Sequence, residues 1–175
     1  EYATYLYKDA DGCQWNIVLN KAHNNIIVTA RNDKRYGSFN FNLTKTIKDT
    51  QSPLEGAGFK VSIINTKTNT ALTTKSGKKI DGTTEYKTNS EGKIDEIKDI
   101  NLETTDNLKV TITESTVPDG YYGLVGPITF EVTPELSTDG KSYTLKGDTP
   151  EVANAKKVEV KTGEVLVEAE NRVVT

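Results

Sequence analysis

Apolar residues recur with a period of two along much of this chain, a pattern that half-buried β-strands satisfy and helices do not. Phe39, Phe41 and Leu43 share one phase ahead of Lys45. Val110 and Ile112 lead in the same way to Glu114, and Val165, Val167 and Ala169 lead to Asn171, with Val173 resuming the pattern. Three runs therefore carry a polar residue on their inward side. An amine, a carboxyl and a carboxamide are predicted to enter one core, where each would be costly alone. Together they could react.

The whole chain reads as β, with Gly, Asn and Asp marking the turns and no long segment of helical period. Strands are predicted at 4–8, 14–19, 26–30, 38–45, 58–65, 85–87, 108–114, 128–133, 142–145, 157–161 and 164–171. Thr162-Gly163 reads as a tight hairpin and Pro118-Asp119-Gly120 as a strong turn. Residues 66–84, polar and rich in Thr and Lys, are expected to be exposed loops or an edge hairpin. Antiparallel strands at this spacing favour an all-β sandwich.

A partial internal repeat bears on domain organisation. Asp11-Gly12 precedes a run with Trp15, Ile17 and Leu19, after which Ile26, Val28 and Ala30 lead in phase to Asn32. Asp139-Gly140 likewise precedes Tyr143-Thr144-Leu145, and Val165, Val167 and Ala169 lead to Asn171. Residues 1–36 are accordingly expected to be the closing strands of a preceding similar β domain, with Tyr36-Gly37 as the hinge into a complete domain at 37–175. The alternative is an N-terminal β extension that adds strands to the main domain.

Composition narrows the function classes. With 27% charged residues and a formal charge of −3, the chain has no basic stripe of the kind that binds nucleic acid. No apolar run approaches a membrane span, and no apolar segment opens the chain as a signal peptide would. A chain with no Met, not even an initiator, is expected to be a mature or excised piece of something longer. The single cysteine, Cys13, excludes an internal disulfide. Cys13 beside Gln14 reads as a structural residue, with a nucleophile or thioester former as the alternative; the only His, His23, lies in a polar turn-like segment. No Ser-His-Asp arrangement, Cys-rich metal site or phosphate loop is present, so an enzyme acting on an outside substrate is not expected, and neither is a cofactor. Asp9-x-Asp11-Gly12 is similar to the start of a calcium loop, but its remaining ligands are missing and a β-turn is the simpler reading. Asn42-Leu43-Thr44 fits an N-glycosylation triplet and reads as incidental.

Several ordered motifs resemble the Cna protein B-type domain, also found as the SpaA-like domains of Gram-positive pilins and surface adhesins. Lys45, followed by Pro53-Leu54-Glu55-Gly56-Ala57-Gly58-Phe59, is similar to the family's first-strand Lys and Pro-Leu-x-Gly-Ala-x-Phe second strand. Thr88-Asn89-Ser90-Glu91-Gly92 is similar to the Thr-x-x-x-Gly turn that follows. Thr111-Ile112-Thr113-Glu114-Ser115-Thr116-Val117-Pro118-Asp119-Gly120-Tyr121 resembles the E-box ending in Pro-x-Gly-Tyr. The set spans 38–175 and departs from the family at 134–164, which is longer than a compact member needs.

The resemblance implies an Ig-like (prealbumin-like) antiparallel β-sandwich of the Cna B type. It also implies a spontaneous intramolecular isopeptide bond between Lys45 and Asn171, with Glu114 as the proton shuttle. The chemistry is self-consistent. Burial disfavours the charged amine and frees its lone pair, and Glu114 in its acid form can polarise the amide and move protons while ammonia leaves. Alignment in a folded core supplies the effective concentration. The alternative is an unreacted, hydrogen-bonded buried cluster. Lys48 is out of phase with its strand's apolar face and Asn154 sits in an ill-defined polar segment, so neither competes well. Asn32 would be the matching acceptor of the preceding domain, unreacted here because its Lys and Glu partners are not identifiable.

By the same resemblance the chain is a structural stalk or spacer of a surface adhesin or pilus, anchored to the cell wall of a Gram-positive bacterium. Its expected partners are neighbouring tandem domains of the same chain. The rival is a ligand-binding adhesin domain that grips a host or extracellular-matrix molecule, for which an aromatic patch near Tyr121 and Tyr122 would be the sign.

Overall fold

The computed structural model describes residues 2–8, 10, 13–20, 25–32 and 34–175. Among the described residues every regular element is a strand. In chain order these are β1 (Tyr2–Lys8), β2 (Cys13–Asn20), β3 (Asn25–Asn32), β4 (Ser38–Ile47), β5 (Gly58–Asn65), β6 (Thr70–Ala71), β7 (Asp81–Lys87) and β8 (Lys93–Asn101). They continue as β9 (Leu108–Thr116), β10 (Tyr121–Tyr122), β11 (Ile128–Val132), β12 (Pro134–Leu136), β13 (Tyr143–Leu145), β14 (Lys157–Lys161) and β15 (Glu164–Val173).

Two sheets make the sandwich. One runs β10-β15-β4-β8, with β14 also paired to β15; the other runs β11-β9-β5-β6, with β7 also paired to β5. Alternation along β4 and β15 sends Phe39, Phe41, Leu43, Val165, Val167 and Ala169 inward. They join Phe59, Val61, Ile63, Val110 and Ile112 of the opposite sheet in one buried cluster. Burial of this apolar surface is the main stabilising contribution. Thr162-Gly163 closes the β14–β15 hairpin between Lys161 and Glu164, as expected from the sequence.

Among the described strands one ladder breaks the antiparallel rule. The first and last strands of the sandwich, β4 and β15, run parallel, with Lys45 opposite Ala169 and Ile47 opposite Asn171. The sequence reading of the sheets as antiparallel had no local signal for this, because a parallel pair is made by a connection that spans the whole domain.

β8 is absent from the sequence reading for a specific reason. Its buried residues Ile94, Ile97 and Ile100 recur every third position, which does not look like a strand. They nevertheless face Leu43, Phe41 and Phe39, because the register shifts twice along the pair. Each irregularity places three residues of β8 against two of β4, so the inward face is kept only by a three-residue spacing. Asp99 takes up part of the distortion at φ 53°.

Residues 134–164, the stretch that departs from the family pattern, are built into the domain. β12 and β13 form a two-stranded hairpin. Leu145 is fully buried, and Val152 and Ala155 pack against the core.

β1, β2 and β3 form a separate antiparallel sheet of their own. Register aligns Tyr5 with Ile17 and Ile17 with Val28, and sets Tyr7 against Trp15 and Leu19 against Ile26. One face of this sheet is therefore an apolar row, and Tyr5, Tyr7, Ile26 and Val28 are exposed on it. Past β3, Tyr36 and Gly37 are tied to the sandwich: Tyr143 N–H donates to Tyr36 O at 3.2 Å and Leu102 N–H to Gly37 O at 2.9 Å. The expected hinge is thus a hydrogen-bonded junction. A side chain at position 37 would place its Cβ 2.2 Å from Tyr143 O, which only glycine avoids.

The bulged register of β8 makes a clean prediction. Ile97→Ala should lower stability by about 2–5 kcal/mol. Its exposed neighbour Lys98→Ala should change stability by less than about 0.5 kcal/mol. Urea titrations of the two variants measure both, and equal losses would contradict the three-residue spacing.

Candidate functional site

Lys45 is held in place through its backbone before its side chain does anything. Its N–H donates to Gly92 O at 2.7 Å, and its carbonyl accepts from Leu54 N–H at 3.0 Å. Gly92 has φ +72°, and a Cβ there would lie 2.4 Å from Lys45 O, so the turn can approach β4 only as glycine. The buried Thr88 hydroxyl braces the same region, donating to Leu54 O at 2.7 Å and accepting from Ala57 N–H at 3.0 Å. The motif pieces 53–59 and 88–92 therefore converge on one job: fixing the strand that carries Lys45.

The three polar residues singled out from strand phase meet between the sheets. Lys45 and Asn171 come from the parallel pair β4 and β15, two positions apart in register and on the same inner face. Glu114 comes from β9 in the opposite sheet. Lys45 Nζ lies 3.6 Å from Glu114 Oε2, with the two side chains 0% and 3% exposed. Asn171 Nδ2 donates to the same Oε2 at 2.8 Å. The Phe59 ring centroid is 5.3 Å from Lys45 Nζ, completing an apolar wall around the amine.

Two atoms of this cluster are left wanting. Lys45 Nζ and Asn171 Oδ1 are buried without a hydrogen-bond partner. Such atoms are rare in folded proteins, and each costs on the order of 1–3 kcal/mol. Burial pushes the Lys45 amine down from 10.5 to about 8, against the opposing pull of the Glu114 and Glu170 carboxylates. At neutral pH roughly a tenth of the amine is then uncharged, several hundred times the fraction of an ordinary lysine.

Other residues considered from sequence fall elsewhere. Lys48 is exposed, its N–H donating to Asn171 O at 2.9 Å. Asn154 is exposed and donates through Nδ2 to Pro127 O at 3.0 Å. Tyr121 is half-buried in β10, whereas Tyr122 is exposed with the Arg172 guanidinium 5.3 Å from its ring centroid. Cys13 is half-buried at the start of β2, where the backbone pairs it with Asn32. The side chain of Asn32, and Asp9, Asp11, Gly12 and His23, lie outside the described residues. Among the described residues no group of His, Cys, Asp or Glu is arranged to hold a metal ion, and no helix is long and apolar enough to cross a membrane.

Sequence reasoning missed one contact of the cluster. Leu124 N–H donates to Glu114 Oε1 at 2.8 Å, from the loop after β10. A backbone donor carries no residue-type signal.

The family model of the SpaA prealbumin-like fold domain matches residues 39–149, and the chain belongs to that family. The matched stretch includes Lys45 and Glu114 and ends before Asn171. Among solved structures the fold is similar to domains D2 and D3 of the major pilin SpaD from Corynebacterium diphtheriae, at 15% identity over 92% of this chain and 56% of that one, with a TM-score of 0.51. The full-length major pilin SpaD aligns at 14% identity over 93% of this chain and 39% of that one, with a TM-score of 0.53. This chain thus spans little more than half, or less, of those structures. No curated protein matches it.

The depressed Lys45 amine has a measurable consequence. In an Asn171→Ala protein the Lys45 amine is a free group that titrates. Its folded value of about 8 lies below the unfolded 10.5, so between those pH values the unfolded chain binds more protons and stability must rise with pH. Below about 8 the burial penalty is present in full. Relative to Asn171→Ala with Lys45→Met, stability should climb by about 3 kcal/mol across the window, read from urea midpoints at each pH.

Proposed function

We propose that this chain is a load-bearing stalk or spacer module of a bacterial cell-surface adhesin or pilus, stapled by an amide bond between Lys45 Nζ and Asn171 Cγ. The observation that carries this reading is the Lys45 amine, fully buried without a hydrogen bond, beside the carboxyl and the amide that could consume it. Left unreacted, the cluster keeps orphaned polar atoms in the core. Reacted, it replaces an amine and a primary amide by one neutral amide.

Glu114 Oε2 is the proton relay. It lies 3.6 Å from the attacking nitrogen and 2.8 Å from the nitrogen that leaves. With the amine neutral and the carboxyl in its acid form, Nζ attacks Cγ, Oε2 gives its proton to Nδ2, and the Cγ–Nδ2 bond breaks to release ammonia. The surplus proton on Nζ returns to Oε2. In this amide orientation Oε2 faces the leaving nitrogen, so the carboxyl serves proton transfer rather than polarisation of the carbonyl. The reaction occurs once per molecule and involves no external substrate or cofactor.

The mechanical reading follows from the strand order. Tension entering β4 from Tyr36-Gly37 would run along β4 to Lys45, cross to Asn171 and leave through the end of β15. Residues between the two cross-linked positions would carry no load. The bond would also restrict the unfolded chain, a stabilisation of about 4–5 kcal/mol on the loop-entropy model. The pilins whose fold this chain shares accord with this role. Residence on the wall-anchored surface of a Gram-positive bacterium belongs to the same proposal, as do tandem domains as partners. Residues 1–36 are read as the closing strands of a preceding domain of the same kind, supported by the separate β1–β3 sheet and its exposed apolar row.

A second reading, a module that grips a host ligand, draws on an open cavity of about 470 Å³ beside Tyr122, Val125, Glu170 and Arg172. Exposed Tyr122 and Val125 would supply its apolar contacts.

Intact mass tests the staple. The native protein should be lighter than its sequence by one ammonia, and Glu114→Ala or Lys45→Arg should restore the full mass. Peptide mapping should join the segments carrying Lys45 and Asn171 and leave Asn32 with its amide. A full mass for correctly folded wild-type protein would sink the proposal.

A further inference from the structure

We infer that the loop segment Gly123-Leu124 is a positioning element for the cross-linking reaction: its backbone fixes one oxygen of Glu114 so that the other is the relay. The inference rests on the Lys45–Asn171 reading above and extends it to residues outside the reacting three.

The two carboxyl oxygens of Glu114 have different surroundings. Oε1 accepts Leu124 N–H at 2.8 Å, whereas Oε2 faces Lys45 Nζ and Asn171 Nδ2. A carboxylic acid is a donor through one oxygen and chiefly an acceptor through the other. The Leu124 N–H engages Oε1 and stops the carboxyl turning about its last bond, which keeps Oε2 facing both the attacking and the leaving nitrogen. Without that donor the carboxyl could turn and take Oε2 away from one or both of them.

The segment that supplies the donor is anchored at both ends. β10 pairs Tyr121 with Val173 and Tyr122 with Arg172, next to Asn171 itself. On the far side Pro127 O accepts Asn154 Nδ2 at 3.0 Å. Leu124 packs its half-buried side chain against the core. Gly123 lets the backbone come this close. A Cβ there would lie 3.2 Å from Glu114 Oε1 and 2.7 Å from Val117 Cγ2. A methyl at 123 must therefore displace the loop, the carboxyl, or both.

Displacement of a reacting group by about 1 Å can cost on the order of 100-fold in rate. The test follows ammonia loss by intact mass after protein purified unfolded is diluted into native buffer, taking the first-order rate once circular dichroism shows folding is complete. Two variants probe the element separately. Gly123→Ala presses on the carboxyl, and an ester replacing the Leu124 amide N–H by oxygen removes the donor and keeps every side chain. Each should cross-link about 10- to 100-fold more slowly than wild type, while Lys98→Ala, at an exposed residue of β8, should not. The corresponding melting temperatures in the Asn171→Ala background separate positioning from stability, since a purely structural role lowers melting without slowing the reaction of folded protein. If Gly123→Ala does not fold, the ester variant decides alone. A folded variant of either kind that cross-links at the wild-type rate overturns the positioning role. A wild-type protein that loses no ammonia instead overturns the underlying cross-link.

Discussion

The parallel pairing of β4 with β15 is the constraint on which the rest of this domain depends. It joins the beginning of the sandwich to its end, so the domain closes only when its whole length has folded. It also puts Lys45 and Asn171 on adjacent strands, on one inner face, two positions apart in register. An antiparallel neighbour at this place would have brought the end of β15 back beside the start of β4, whereas the parallel pair sets those two points at opposite ends of the sheet. The opposite sheet then needs to contribute one residue only, and β9 delivers Glu114 to the middle of the pair.

That arrangement explains why so much of the motif chemistry is backbone chemistry. Gly92, Thr88 and Leu54 do not touch the amine. They pin the chain on either side of it, and the positive φ of Gly92 allows a contact that a side chain would block. On the other side of the cluster the Leu124 N–H plays the matching part for the carboxyl. A buried charge pair is a weak source of stability by itself, because desolvation offsets most of its attraction. A rigid surround that keeps an amine dry, partly uncharged and short of hydrogen bonds fits preparation for the proposed reaction.

The two weakest parts of the sequence reading failed for geometric reasons. β8 escaped because its isoleucines obey a spacing set by its partner's bulges, and a bulge is a property of a strand pair. The parallel pair escaped because direction is decided by a connection of more than a hundred residues, far beyond any local window. Strands with uninterrupted alternation, such as β4, β5, β9 and β15, were legible because one face meets core and the other does not. The polar residues at their inward positions were legible for the same reason.

By itself, then, the sequence determined that the chain is a β-sandwich, that Lys45, Glu114 and Asn171 point inward, and that the turn at 88–92 matters. Period-two patterning is local physics, and each strand carries its own copy. Only the tertiary structure decided that the three side chains meet, which oxygen of Glu114 faces which nitrogen, and that a loop backbone holds the other oxygen. Those facts depend on the register between distant strands and on main-chain donors, and neither is written in the identity of any single residue.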